Sequence, residues 1–178
     1  MISPRKIISC YRTILAHDFS SVQCPLPQKI SEAIYQWGIK NIPEEILGEE
    51  GRETDIHVTC KYGLHYHDPV EMKELIVSID PVKITLGQMS LFENDQDVLK
   101  IEIDSPDLIR LNKLICERFE YTDTHPKYIP HCTISYLKKG TGKPYVGRKD
   151  FAGRKIILPA VEFSGNDNRK TLIPFKMP

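Results

Sequence analysis

This sequence lacks an excess of either charge: 24 Lys and Arg residues stand against 24 Asp and Glu, for a formal net charge of zero. Extended polyanions are ordinarily met by extended basic surface, so no long nucleic acid is expected as a partner. Long apolar runs are also missing. Nothing approaches the roughly 20 apolar residues that a membrane-crossing helix needs. Residues 1–6 lack the apolar stretch of a signal peptide. The five cysteines, at 10, 24, 60, 116 and 132, form no C-x-x-C pair. That argues against a disulfide framework or a zinc ribbon and fits a reducing cytosol, so a cytoplasmic location is expected. No low-complexity linker divides the chain.

The 178 residues, 40% hydrophobic and 27% charged, are enough to bury a core without staples. One domain of two lobes, spanning 1–178, is expected. Residues 6–16 read as a strand and 28–40 as a helix opened by Pro27. The acidic stretch 41–54 reads as a loop with one helical turn, 55–62 as a strand, and Asp68-Pro69 as the start of a helix. Segments 82–92 and 97–104 read as a hairpin, and 106–119 as an amphipathic helix. A strand at 129–137 and two closing strands at 155–163 and 171–176 complete the order. Helices mixed with hairpins imply an α+β fold with largely antiparallel sheets.

One pattern occurs twice. Residues 57–62 and 131–136 both have the form His-x-Thr-x-x-x on an expected strand. Strand side chains alternate, so His57, Thr59 and Lys61 would share one face, as would His131, Thr133 and Ser135. Cys132, Ile134 and Tyr136 would oppose the second set, as Val58, Cys60 and Tyr62 would the first. Two such strands side by side gather two imidazoles and two hydroxyls, a set suited to phosphoryl chemistry. One neutral His removes a proton from an attacking hydroxyl, and the other, protonated, gives its proton to the leaving oxygen. The unperturbed imidazole pKa of about 6.5 allows either role near neutrality. Thr hydroxyls donate hydrogen bonds to non-bridging oxygens. The scheme requires no metal or cofactor, and spacing does not assign acid and base between the histidines.

The segments IHVTCKYGL (56–64) and IPHCTISYL (129–137) resemble the paired motifs of the two-histidine (2H) phosphoesterase superfamily. That superfamily includes 2′–5′ RNA ligase-like proteins and cyclic nucleotide phosphodiesterases. The resemblance extends over most of the chain. It implies a bilobal α+β fold: two antiparallel sheets flanked by helices, with pseudo-two-fold symmetry and a central cleft. It also implies that His57 and His131 are the acid/base pair and that Thr59 and Thr133 bind phosphate. Residues 51–65 (GRETDIHVTCKYGLH) look most like phage anti-CBASS nucleases, which degrade the cyclic oligonucleotide signals of a bacterial defence system. That resemblance implies a cyclic oligonucleotide partner, cut at 3′–5′ linkages by the ribose 2′-hydroxyl. RNA ends or 2′–5′ linkages are the competing substrates, and sequestration without cleavage is the competing class.

Three residues are candidates for substrate binding. Tyr11, on the expected first strand, would stack on a base, an interaction worth about 1–3 kcal/mol. Lys61 would neutralise phosphate, and Ser135 shares the face of His131. Trp37 is assigned to core packing, and His65 and His67 to an exposed loop rather than a metal site. His17 and His125 have no partner pattern. Lys138, Lys139 and Lys143 form a short basic loop beside the second motif, read as a solvated run.

Overall fold

A computed structural model describes residues 19–122 and 127–176. The expected strand at 6–16, with Tyr11, and the residues His17 and His125 lie outside them. The described residues hold three helices and nine strands: β1 (Ser20–Pro25), α1 (Gln28–Asn41), β2 (Leu47–Arg52), β3 (His57–Leu64), α2 (Pro69–Ile76), β4 (Val82–Glu93), β5 (Asp97–Asp104), α3 (Pro106–Arg118), β6 (His131–Leu137), β7 (Lys155–Leu158), β8 (Ala160–Ser164) and β9 (Lys170–Pro174).

The helices start where their sequences dictate. Asp68 accepts from Val70 N at α2, and Ser105 accepts from Leu108 N at α3, each with Pro in the first turn. Along α3, Leu108, Leu111 and Ile115 form the buried stripe.

The strand order is β7-β4-β5-β6-β3-β1-β8-β9, with β2 also on β6. The two antiparallel halves are β7-β4-β5-β6 and β3-β1-β8-β9, and they meet at β3/β6 through the pair Val58↔Cys132. Each half has the same plan: a strand, a helix, then a His-x-Thr strand on the sheet's inner edge. These are β1-α1-β3 and β5-α3-β6. Each helix packs behind the other half's motif strand, α1 under β6 and α3 under β3. Thus Gly38 of α1 would place a Cβ 3.6 Å from Ile134 Cγ2, and Asn112 Nδ2 of α3 donates to Cys60 O at 2.7 Å.

Beyond the central pair the two motif strands part, and each takes a new neighbour. β2 pairs with the end of β6 through Leu47↔Leu137 and Arg52↔Ser135. The segment before β6 does the same for β3: Leu64 bridges Tyr121, and Thr122 N donates to Gly63 O at 2.9 Å. The expected loop at 41–54 has its helical turn, a 3-10 turn at Glu44–Ile46, but is corrected beyond it, where β2 is ordered by non-local pairing. The expected strand at 155–163 is also corrected. Pro159 divides it into β7 and β8, which serve opposite halves of the sheet.

Candidate active site

The pair Val58↔Cys132 joins the middle residues of the two His-x-Thr triplets. Antiparallel continuation of that register sets His57 opposite Thr133 and Thr59 opposite His131. Directly opposed Cβ atoms lie about 4.5–5.5 Å apart. Val58 and Cys132 are fully buried, while the four motif side chains are half-buried on the other face. The motifs thus stand back to back around a local two-fold axis.

The imidazoles are held alike. His57 Nδ1 lies 2.6 Å from Asp55 O, and His131 Nδ1 lies 2.7 Å from Ile129 O. A carbonyl can only accept, so Nδ1 carries the proton in each ring. Nε2 is then the atom available for proton exchange. In the second half the Phe92 and His131 rings meet in a T-shaped arrangement at 4.9 Å between centroids.

Both strands bulge immediately after the threonine. In β3, Gln23 pairs with Thr59 and Val22 with Lys61, leaving Cys60 as the extra residue. In β6, Lys100 pairs with Thr133 and Leu99 with Ser135, leaving Ile134 as the extra residue. Each bulge carbonyl is satisfied: Cys60 O by Asn112, and Ile134 O by Glu53 N at 2.9 Å.

The bulges correct the expected faces. Lys61 and Ser135 do not continue the rows of His57 and His131. Lys61 is 7% exposed, paired with buried Val22, and its Nζ sits 3.6 Å from the Tyr121 ring centroid. Ser135 is fully buried and pairs with buried Leu99. The tyrosines one residue further on rejoin the motif rows instead. Tyr62, 45% exposed, pairs with Ser21. Tyr136 is half-buried and pairs with Val98. Burial, reinforced by Glu53 and Glu50, pushes the Tyr136 phenol up, so it is protonated at neutral pH.

Sequence reading also missed two further residues. Gln23 and Lys100 occupy equivalent places beside Thr59 and Thr133. Gln23 Nε2 donates to Glu162 Oε1 at 2.9 Å, and Lys170 Nζ bridges Glu162 at 2.9 Å and Asp55 at 2.8 Å. Lys100, 4% exposed, donates to Ser90 Oγ at 2.6 Å and lies 4.3 Å from the Phe92 ring centroid. The available signal was one lysine in the strand DVLKIEID at the period of its polar face.

The remaining candidates sit elsewhere. His65 Nε2 contacts Thr122 Oγ1 and His67 Nδ1 contacts Ser20 Oγ, each at 2.8 Å. Among the described residues no group of three or more His, Cys, Asp or Glu is placed to hold a metal. Trp37 packs against the core and donates to Asp150 at 2.9 Å. Lys138 is tied to Glu45 O at 2.7 Å, while Lys139 and Lys143 are exposed. No helix among the described residues is long and apolar enough to cross a membrane.

The 2′-5′ RNA ligase superfamily model matches residues 40–146, which contain both motifs. The chain belongs to that superfamily. Solved structures share its fold. TT0787 of Thermus thermophilus is 16% identical with a TM-score of 0.63, over 86% of this chain and 94% of that one. Escherichia coli LigT, in complex with phosphate, is 18% identical with a TM-score of 0.59, over 90% and 96%. LigT has also been solved with 3′-AMP, at 17% identity and a TM-score of 0.60 over 88% and 94%. Among curated proteins, none matches the chain.

Proposed function

We propose that this superfamily member is a phosphodiesterase that cleaves 3′–5′ linkages of cyclic di- or trinucleotide signals, with His57 and His131 as the acid/base pair. The observation that supports this reading is the register Val58↔Cys132, which makes the two His-x-Thr triplets cross-strand neighbours. A neutral Nε2 takes the 2′-hydroxyl proton as O2′ attacks phosphorus. The P–O5′ bond breaks, and the other imidazole protonates the departing O5′. A 2′,3′-cyclic phosphate results. Water then opens it with the roles reversed, leaving a 3′-phosphate. Thr59 and Thr133 donate to the non-bridging oxygens as charge gathers there. Every proton is carried by the chain's own groups, so the scheme uses no metal.

LigT held with phosphate and with 3′-AMP supports a phosphate and nucleotide ligand for this fold. The zero net charge favours a small ligand over long RNA. The cyclic substrate, and a role in phage evasion of CBASS immunity, rest on the likeness of residues 51–65 to anti-CBASS nucleases. The superfamily's own name favours a second reading, a phosphodiesterase acting on RNA 2′,3′-cyclic ends or 2′–5′ linkages.

The test is incubation in EDTA with cyclic di- and trinucleotides, 2′,3′-cyclic mononucleotides and 2′–5′ dinucleotides, products being read by mass. Cleavage of the 3′–5′ cyclic compounds, lost in His57→Ala and His131→Ala, is the expected result. Cleavage of the RNA-end substrates alone keeps the chemistry and removes the defence role. Tight binding without product points to a sequestering protein.

A further inference from the structure

A lysine in the interior of a sheet ordinarily carries a carboxylate partner, because an uncompensated ammonium is costly out of water. Lys100 departs from this. It is 4% exposed, and among the described residues it makes no ion pair. Its Nζ rests on a neutral hydroxyl, Ser90 Oγ, and on the ring of Phe92. Glu102, on the same strand, pairs with His131 and acts on Lys100 only at longer range.

Its position is specific. Lys100 is the direct cross-strand neighbour of Thr133, on the face that carries His131. Phe92 links the two groups, since its ring carries the Lys100 ammonium on one side and meets the His131 ring at 4.9 Å. The equivalent position in the other half holds Gln23, neutral and engaged by Glu162. The two equivalent positions therefore differ in charge, a lysine beside Thr133 and a neutral amide beside Thr59. Each stabilising contact of Lys100 is with a neutral group, which leaves the ammonium able to take an anion.

We propose that Lys100 is the anion-binding cation of the cleft, meeting a non-bridging oxygen of a phosphate group beside Thr133. The ligand class is a phosphate anion, alone or within a diester. When the ligand enters, the Lys100 ammonium gains the counter-charge the fold withholds and Thr133 shares the same oxygens. The ligand's place in catalysis rests on the phosphodiesterase reading, whereas the anion site itself does not.

The test uses inorganic phosphate as probe, titrated by NMR into the wild-type protein, Lys100→Met, Lys100→Gln and Lys100→Arg. A charged hydrogen bond of this kind is worth about tenfold to a hundredfold in affinity. Lys100→Met and Lys100→Gln are expected to weaken phosphate binding at least tenfold, and Lys100→Arg to retain most of it. The melting temperature of Lys100→Met should equal or exceed that of the wild type, because an apolar side chain relieves an unpaired buried charge. A structural lysine would behave oppositely. Unchanged phosphate affinity in Lys100→Met overturns the proposal, as does a lowered melting temperature in both neutral variants, or a wild type that binds no phosphate. Turnover assays separate this from the enzymatic reading. Phosphate binding that depends on Lys100, without cleavage of any substrate, removes the enzyme and leaves the site. Cleavage with a KM indifferent to Lys100→Met removes the site and leaves the enzyme.

Discussion

The two halves of the sheet follow one plan down to the bulge after each threonine, and they part at the residue standing beside it. Gln23 in the first half belongs to a closed network with Glu162, Lys170 and Asp55. Lys100 in the second has a hydroxyl and an aromatic ring. Symmetry holds the two imidazoles alike, as the proposed acid/base chemistry with reversing roles would require. Among the described residues, asymmetry puts a cation with no carboxylate contact beside Thr133 and an amide held by an ion-pair network beside Thr59. Register produces the first property and side-chain identity the second.

The sharpest way to break the symmetry is at the histidines. His57→Ala and His131→Ala are each expected to lower kcat by about 10²–10⁴-fold. If both serve in both steps of a two-step cleavage, the losses should be of similar size. A single-turnover assay that separates cyclic-phosphate formation from its opening checks this. Loss in only one variant would mean that one imidazole is a spectator.

The threonines come next. Removing one oxyanion donor lowers kcat by about 10²–10³-fold. Thr133→Val should fall at the upper end and Thr59→Val at the lower. Thr133 neighbours the cation Lys100, while Thr59 neighbours neutral Gln23. Equal losses in kcat/KM would show that these neighbours add nothing.

A smaller effect tests the segments that cover the parting strands. Gly63 (φ +86°) and Gly51 (φ +70°) both adopt left-handed backbone, so alanine at either carries roughly 1–2 kcal/mol. An added Cβ at Gly63 would meet Thr122 O at 2.1 Å, whereas at Gly51 nothing lies within 4 Å. Gly63→Ala is expected to be clearly the more destabilising in urea titration. Equality would mean that residues 120–122 yield easily.

The motifs were legible because the chemistry of His57, Thr59, His131 and Thr133 coincides with the two-residue period of a strand. Alternation then failed at Cys60 and Ile134. A bulge adds one residue without changing composition, so Lys61 and Ser135 were assigned to the row that Tyr62 and Tyr136 occupy. β2 was not legible because GEEGR carries loop residues, and its order comes from pairing with Leu137 and Ser135, distant in sequence. β1 was missed since six residues closing on Pro25 make too short a pattern. Lys100 read as a solvent-facing position on an amphipathic strand. Its burial depends on the ring of Phe92 and on Ser90, which only the folded hairpin brings to it.

The smallest effect is a difference in sign between two lysines. Desolvation by burial lowers the Lys100 pKa, against the weaker opposing pull of Glu102; the other groups near it, Ser90, Phe92 and Thr133, carry no charge at neutral pH. The hydrogen bond that Lys170 donates to Asp55, with Glu162 in support, raises that of Lys170. Between the lowered value and the ordinary lysine pKa of about 10.4, the unfolded chain binds more protons at Lys100 than the folded one does. Its contribution therefore makes the fold more stable as pH rises through that window. Lys170 runs the other way. Its stabilisation is complete below about 10.4 and is lost as pH climbs through the raised value. Unfolding free energies across the alkaline range, compared with Lys100→Met and Lys170→Met, should show this. The wild type gains on Lys100→Met with rising pH and loses its advantage over Lys170→Met at the alkaline end. Parallel curves for the two pairs would mean that both lysines are equally well compensated, and the contrast between the two halves of the sheet would be lost.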